Sequence, residues 1–380
     1  MEKFVTSPFR VGIAGGGQLG RMLALKAATW DVLTHCLDGE SAPAHIICET
    51  LHKGSITEYD DVVRFGKNVD VVTIESDNVN VEALKHLEGL GKKVCPSAAA
   101  LKVIQDKGLQ RQFCSQHGIP VPAFKVYADK GELLADPPTE FPCIVKTRKA
   151  GYDGKGVFLV DSAAELEELP DVGLVVEQKV DIEKELTIIV VRNGKGEVAF
   201  YPCIELFMKQ GAYLVDYLIS PADIPQGVQQ QAEEMARSLA DALEIEGLLA
   251  IELFLDTSGT LLVNECSPRP HNSGHQTIEG SYTCQYENHL RGILNLPLGS
   301  CAPVMHAAMV NLLGEADARG PVKYENLTEC LSIQGVNVHI YGKKEVTPFR
   351  KMGHITILNP SYDDLLQVVD EVKRKVKVRA

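Results

Sequence analysis

No stretch of this 380-residue chain is apolar for long enough to span a bilayer, and the opening Met1-Glu2-Lys3-Phe4 carries no long hydrophobic run. Neither a membrane anchor nor a signal peptide is therefore expected. Positive charge is in deficit: 38 Lys and Arg against 51 Asp and Glu leave a net charge of -13. That balance argues against nucleic acid or an anionic membrane as a partner, so any anion site must be a local basic pocket in an acidic body. The ten cysteines form no C-x-x-C pair, and most sit in apolar runs such as those around Cys143, Cys203 and Cys266. This pattern reads as buried, reduced thiols in a cytoplasmic protein, with neither zinc nor disulfides. Internal repeats, low-complexity tracts and a Walker A loop are also absent. What remains has ordinary globular composition, 45% hydrophobic and 23% charged, and length for two or three domains.

The most informative stretch is Lys146-Thr147-Arg148-Lys149-Ala150-Gly151-Tyr152-Asp153-Gly154-Lys155-Gly156, between the apolar runs 143–145 and 157–160. It predicts a hairpin loop with three glycines and four cations. Glycines let backbone amides approach an anion closely, and a triphosphate suits the charge. A solvated surface loop is the alternative reading.

Along the chain, strand 10–14 leads into Gly15-Gly16-Gly17-Gln18-Leu19-Gly20 and a helix through about Ala28, and strand 32–37 ends at Asp38. This is formally the dinucleotide fingerprint G-x-G-x-x-G with a distant acid. A nicotinamide-dependent oxidoreductase, a merely structural turn, and a helix N-terminus holding another anionic substrate all remain open. A third strand, 69–74, delivers Glu75 to the ligand-facing end of a parallel sheet. Helix 80–90, strand 93–95 and a helix capped by Ser97 follow, then a basic amphipathic helix over 101–117 that includes Asp106 and Lys107. Strand 174–180 carries Glu177, Glu185 opens the strand 186–191, and 226–244 is a polar amphipathic helix.

Ser258-Gly259 between apolar runs predicts a two-residue hairpin turn. Counting outward sets 256 opposite 261 and Glu252 opposite Glu265. Facing carboxylates repel, and shared magnesium would relieve them; one protonated or solvent-turned glutamate is the alternative. Next comes the donor-rich Asn264-Glu265-Cys266-Ser267-Pro268-Arg269-Pro270-His271-Asn272-Ser273-Gly274-His275, then helix 283–294. Strands are expected over 305–313 and 331–341, and helix 361–376 should end in a frayed basic tail. Lys343-Lys344 and Arg350-Lys351 could fork a phosphate monoester or simply be surface charge.

Taken in order, Gly151-Tyr152-Asp153-Gly154-Lys155-Gly156, Pro268-Arg269-Pro270-His271-Asn272-Ser273-Gly274-His275 and Arg350-Lys351-Met352-Gly353-His354 resemble the ATP-grasp superfamily, over nearly the whole chain. Within it, the sequence is similar to the 5-(carboxyamino)imidazole ribonucleotide synthase family of purine biosynthesis. The resemblance implies an α/β fold of three parts: a Rossmann-like substrate-binding domain at 1–101, an ATP-grasp domain at 102–298 and a small β-rich domain at 299–380. It implies a carbon–nitrogen ligase that joins bicarbonate to aminoimidazole ribonucleotide through carboxyphosphate, with ATP and Mg2+, as a cytoplasmic homodimer that hands its product to a mutase. Lys107, Lys146 and the loop glycines Gly151, Gly154 and Gly156 would meet the ATP phosphates. Glu177, Gln178, Lys179 and Val180 would form the adenine hinge, Glu185 would bind ribose, Asn264 would lie nearby, and Glu252 and Glu265 would carry magnesium. Gln18, Leu19 and Glu75 would hold the ribonucleotide, with its phosphate on Lys343 and Arg350. Tyr152, Asp153, Lys155, Arg269 and His271 would border the reacting centre, with Asp153, the only carboxylate on the loop, as proton acceptor. Three positions depart from the family pattern: Met208 stands where an ATP-contacting histidine is usual, Val157 where glutamine is, and Asp77 where glutamate is.

Overall fold

The computed structural model describes residues 3–149, 151, 155–209 and 214–380. The first part is a five-stranded parallel sheet, in the order Thr50–Lys53, Leu33–Asp38, Arg10–Ala14, Val71–Ile74, Lys93–Cys95. Apart from Arg10 the strands Arg10–Ala14 and Val71–Ile74 are buried, as expected where helices cover both faces. Thr50–Lys53 escapes sequence reading because this half-exposed edge strand has no apolar run. Val71–Ile74 is therefore fourth in chain order.

Next comes a four-stranded antiparallel sheet, Phe124–Tyr127, Leu174–Gln178, Cys143–Thr147, Val157–Val160. Pairing of Lys146 with Val157 closes the expected hairpin around the basic loop. The largest sheet has nine strands. Eight run in line from Leu261–Ser267 through Gly247–Asp256, Ile182–Arg192, Ile204–Met208 and Val215–Ser220 into His306–Leu313, Lys351–Asn359 and Val336–Ile340, and the ninth, Val198–Phe200, pairs with the end of Ile182–Arg192. Helix Gln226–Ala242 packs on it through Ala232, Met235, Ala236, Leu239 and Ala240, spaced as one helical face requires.

Four local expectations need correction. The 101–117 segment is two helices, Ala98–Ile104 and Lys107–Gln116, because the Asp106 carboxylate accepts from the amides of Gly108 (2.9 Å) and Leu109 (3.2 Å) and starts a new helix. Strand 331–341 begins only at Val336, after a short helix, Leu327–Cys330. The basic tail does not fray: Lys377–Arg379 pairs with Lys323–Glu325. The hairpin turn has three residues, since Asp256 N donates to Thr260 O and Leu255 faces Leu261. The Asp256 carboxylate holds it, accepting from the amides of Ser258 (2.9 Å) and Thr260 (2.8 Å), with Gly259 at φ +86°. A bulge then shifts the register by one residue, so Glu252 does face Glu265.

All ten cysteines are buried and unpaired, and among the described residues no helix is long and apolar enough to cross a membrane. His289 joins two sheets. Leu248 N donates to its Nδ1 (3.2 Å), which leaves Nε2–H to donate to Thr73 Oγ1 (2.8 Å). His275 and His354 stack 4.7 Å apart, and His339 stacks on His354 at 4.4 Å. Burial holds His289 down at about 3, and His275 and His354 well below the ordinary histidine range. The unfolded chain binds protons on these rings below pH about 6.5 while the folded protein does not, so their stabilising contribution is full above that pH and falls as pH drops below it, for His289 until about pH 3. For His289 this is about 1.4 kcal/mol per pH unit in that window. Thermal denaturation should therefore give a lower midpoint at pH 5.5 than at 7.5, and His289→Gln should remove about one proton from the uptake on unfolding. An unchanged proton uptake in that variant counts against the assignment.

Candidate active site

The glycine-rich turn after the first strand is occupied by the protein's own carboxylates. Gly17 N and Gly20 N donate to Glu75 (2.7 and 2.6 Å), and Gly16 N donates to Asp38 (2.7 Å). A Cβ on Gly15, whose φ is +111°, would lie 2.2 Å from Glu75 Cγ, so this close approach requires glycine. The amides that cradle a pyrophosphate in a dinucleotide site are thus already satisfied, which removes the basis of the oxidoreductase reading. Burial pushes the Glu75 carboxyl up, against the pull of the two amides. Gln18, at the start of the same helix, accepts from Lys343 Nζ (2.6 Å), which also donates to Lys351 O (2.7 Å). Leu19 packs into the neighbouring core. Arg350 is exposed and donates to Glu345 O at 2.6 Å.

Between the four-stranded and nine-stranded sheets lies a cleft of about 400 Å3. Its wall brings together Lys107, Lys146, Glu177, Gln178, Lys179, Val180, Glu185, Glu252, Asn264, Glu265 and His271, drawn from both sheets and the helix Lys107–Gln116. Ile144, Val157, Leu159, Leu206, Met208 and Phe254 make part of it apolar, as a flat heterocycle needs. Val157 and Met208, two of the departures from the family pattern, belong to this apolar wall. Gln178 keeps its backbone engaged, donating to Ala123 O at 2.8 Å. Glu185 is half-buried and its carboxyl is raised by burial.

Glu177 is a charge anchor. Its Oε1 accepts from Arg111 Nε (2.7 Å) and its Oε2 from Lys146 Nζ (2.8 Å). Burial pushes this carboxyl up, but Arg111 and Lys146 outweigh that and hold it below the ordinary range. Lys146 is lowered by burial, against Glu177, and also donates to Asn264 Oδ1 at 2.9 Å. Asn264, beside the bulge, offers its carbonyl to Arg111 Nη2 (2.6 Å) and its amide nitrogen to Glu252 (3.3 Å).

Glu252 is pushed up to about 7 by burial, then by Glu265 and Glu185, with Lys107 and Lys351 opposing. Lys107 Nζ sits 2.5 Å from Glu265 and offsets part of the acidic excess. Two facing carboxylates, one already forced toward its neutral form, fit a hard divalent cation that takes oxygen ligands. His271 Nε2 is 3.7 Å from Glu252, and its Nδ1 contacts Ser273 Oγ at 2.7 Å. Burial, with Arg269 and Lys351, lowers His271 to about 3, so at neutral pH it offers hydrogen bonds and no charge.

A second cavity, of about 350 Å3, shares Lys107 and Glu265 with the first and reaches Ser76, Asp77, Arg148, Gly151 and Arg269. Arg269 grips Asp77 through Nε (3.0 Å) and Nη2 (2.5 Å). The basic loop enters this region, and Arg148 is fixed by a two-pronged contact to Asp106 (3.0 and 2.8 Å). Gly156 has φ +76° and Thr147 Oγ1 would lie 2.4 Å from a Cβ there, so glycine is required. Lys155 lies in the turn next to it. Tyr152, Asp153 and Gly154 lie outside the described residues.

Sequence reasoning missed Arg111 and Phe254, and named Lys351 only within a basic cluster for a substrate phosphate. Arg111 is one turn beyond Lys107, and Phe254 is two residues beyond Glu252 on one strand, so both periodicities carried the signal. Lys351 lines the larger cleft, whereas the sequence had selected its neighbour Arg350.

Comparison with known proteins follows this division. Residues 9–105 match the ribonucleotide synthetase preATP-grasp domain, 112–286 the ATP-grasp domain, and 307–368 the phosphoribosylaminoimidazole carboxylase C-terminal domain. The N5-carboxyaminoimidazole ribonucleotide synthase of Aquifex aeolicus is 33% identical over 95% of each chain. The chloroplastic phosphoribosylaminoimidazole carboxylase of Vigna aconitifolia is 36% identical over 93% of this chain, which spans 65% of that longer protein. The crystal structure of the Thermotoga maritima N5-carboxyaminoimidazole ribonucleotide synthetase superposes with TM-score 0.90 at 39% identity, covering 98% of this chain and 99% of that one. The Aspergillus clavatus synthase in complex with ADP and 5-aminoimidazole ribonucleotide gives 0.86 at 32% identity, over 96% and 99%. The pairing of a parallel-sheet domain with a cleft of two lysines and two facing glutamates has a consistent set of relatives: the chain belongs to the N5-carboxyaminoimidazole ribonucleotide synthase family of ATP-grasp enzymes.

Proposed function

We propose that this protein is an ATP-dependent carbon–nitrogen ligase that carboxylates the amine of 5-aminoimidazole ribonucleotide with bicarbonate, releasing ADP and phosphate, in purine biosynthesis. The observation that carries the reading is a pair of adjoining cavities: lysines and facing carboxylates line the first, Arg148, Gly151 and Arg269 line the second, and Lys107 and Glu265 line both. A nucleotide in the first would point its γ-phosphate toward the second.

Bicarbonate is a poor electrophile. Attack of its oxygen on the γ-phosphorus breaks the bond to ADP and gives carboxyphosphate. Cleavage of that mixed anhydride releases phosphate and a CO2 equivalent; the amine nitrogen then bonds to carbon and loses a proton to a base. Lys146 and Lys107 would meet the charge that develops on the transferred group. Magnesium, held by Glu252 and Glu265, would supply further charge neutralisation. Lys107 stands beside Glu265 as its counter-charge, and a nucleotide phosphate would compete for this lysine. Arg269 and neutral His271 would hold the bicarbonate-derived oxygens, with Lys155 and Tyr152 at the border. Asp153 would take the amine proton. The loop around Gly151, Gly154 and Gly156 would cover the site, since carboxyphosphate must be kept from water.

Domains at 1–101, 102–298 and 299–380 would bring substrate, nucleotide and the Lys343–Arg350 phosphate grip to this junction. Cytoplasmic location, a homodimer and hand-off of product to a mutase belong to the same reading, on the strength of the family likeness.

Phosphate release from Mg-ATP and bicarbonate should depend on added aminoimidazole ribonucleotide, with loss of the free amine; release that ignores the ribonucleotide sinks the substrate assignment. Glu265→Gln should weaken magnesium-dependent nucleotide binding by roughly tenfold or more, read by titration calorimetry at several Mg2+ concentrations. Unchanged metal dependence removes Glu265 from that role. Asp153→Asn should cut turnover by about 10²-fold or more with nucleotide affinity retained, and intact turnover shows that another group takes the proton.

A further inference from the structure

Four groups in and behind the wall of the nucleotide cleft close into a ring. Arg111 Nε donates to Glu177 Oε1 (2.7 Å), Lys146 Nζ reaches Glu177 Oε2 (2.8 Å) and Asn264 Oδ1 (2.9 Å), and Arg111 Nη2 returns to Asn264 O (2.6 Å). Lys146, Glu177 and Asn264 line the cleft; Arg111 does not, being 1% exposed behind its wall. A guanidinium so deeply buried carries a large desolvation penalty unless something requires it there.

Charge counting suggests what that is. A lysine and a glutamate 2.8 Å apart are together neutral. To a phosphate at the cleft they would present a dipole whose field falls off steeply. Arg111 adds a second cation, and the ring carries one net positive charge in a low-dielectric wall, where it is weakly screened. The fork of the guanidinium also fixes the two acceptors of Lys146, because it holds the Glu177 carboxylate with one nitrogen and the Asn264 backbone with another. Lysine in its place could keep the charge but could not span both.

We propose that Arg111 is a positioning residue for nucleotide phosphate: it acts through Lys146, keeping the cleft wall net cationic although Glu177 is paired to that lysine. This rests on the cleft being the nucleotide site, and the test separates the two. Titration calorimetry with Mg-ATP on the wild-type protein comes first; absence of binding overturns the nucleotide reading itself and this inference with it. Given binding, R111M leaves a neutral Lys–Glu pair and should weaken Mg-ATP binding by roughly tenfold or more. R111M/E177Q restores one net positive charge and should recover to within about threefold of wild type. A merely structural role predicts the reverse, since the double variant removes more of the ring. R111K should bind close to the double variant, with kcat reduced more than KM is raised because Lys146 is less well held. Wild-type affinity in R111M overturns the inference, as does a double variant no better than the single. If R111M does not fold, as judged by circular dichroism, R111K and R111M/E177Q carry the test, since both keep the charge; tenfold weaker binding in both overturns it.

Discussion

Three ionised side chains are buried together in the Arg111–Glu177–Lys146–Asn264 ring, where both Glu177 carboxylate oxygens and both Asn264 oxygens accept from a cation, while Arg111 Nη1 finds no acceptor among the described residues. Its demands reach far into the fold. The Asn264 carbonyl can face Arg111 because the chain bulges beside it, and the same bulge returns Glu265 to a position opposite Glu252. The helix must begin afresh at Lys107 so that Lys107 and Arg111, one turn apart, reach the cleft and the wall behind it. Asp106 makes that new start and also clamps Arg148 at the root of the basic loop. Helix, hairpin and loop are thus tied to one charge constellation.

A second regularity is that the charged groups around these cavities are internally partnered. Glu75 occupies the glycine-rich amides, Lys107 sits on Glu265, and Arg269 grips Asp77. Lys107 and Arg269 each face a group of opposite charge and Glu75 faces backbone N–H dipoles, so each of these charges is compensated. Substrate groups would have to exchange with these contacts, which favours ligands able to satisfy several of them at once.

Much of the fold was legible in the sequence, because its strands are apolar and its helix Gln226–Ala242 keeps a clean periodicity. The failures have local causes. Thr50–Lys53 is a polar edge strand, and Asp106 interrupts a periodicity that otherwise runs on. The hairpin is the most instructive case. The sequence predicts a two-residue turn where three residues loop, and the bulge offsets that difference, so Glu252 faces Glu265 although the register nearer the turn differs by one residue. Bulges leave no composition signal, and neither does a buried arginine in a polar helix. Glu75 was flagged for its place at a strand end, but its occupation of the adjacent amides is visible only in three dimensions.

The largest sheet does not end where its inner hairpins end. Strand Val215–Ser220 finds its next neighbour only in His306–Leu313, and that strand in turn pairs with Lys351–Asn359. Without the last segment, Val215–Ser220 would present a row of unpaired amides and carbonyls to solvent, an open template for pairing with other chains. During synthesis this edge must wait for some of the final residues to emerge. Those residues also bring Lys351 to the cleft, so the segment that completes the cleft wall is also the one that covers this sheet edge.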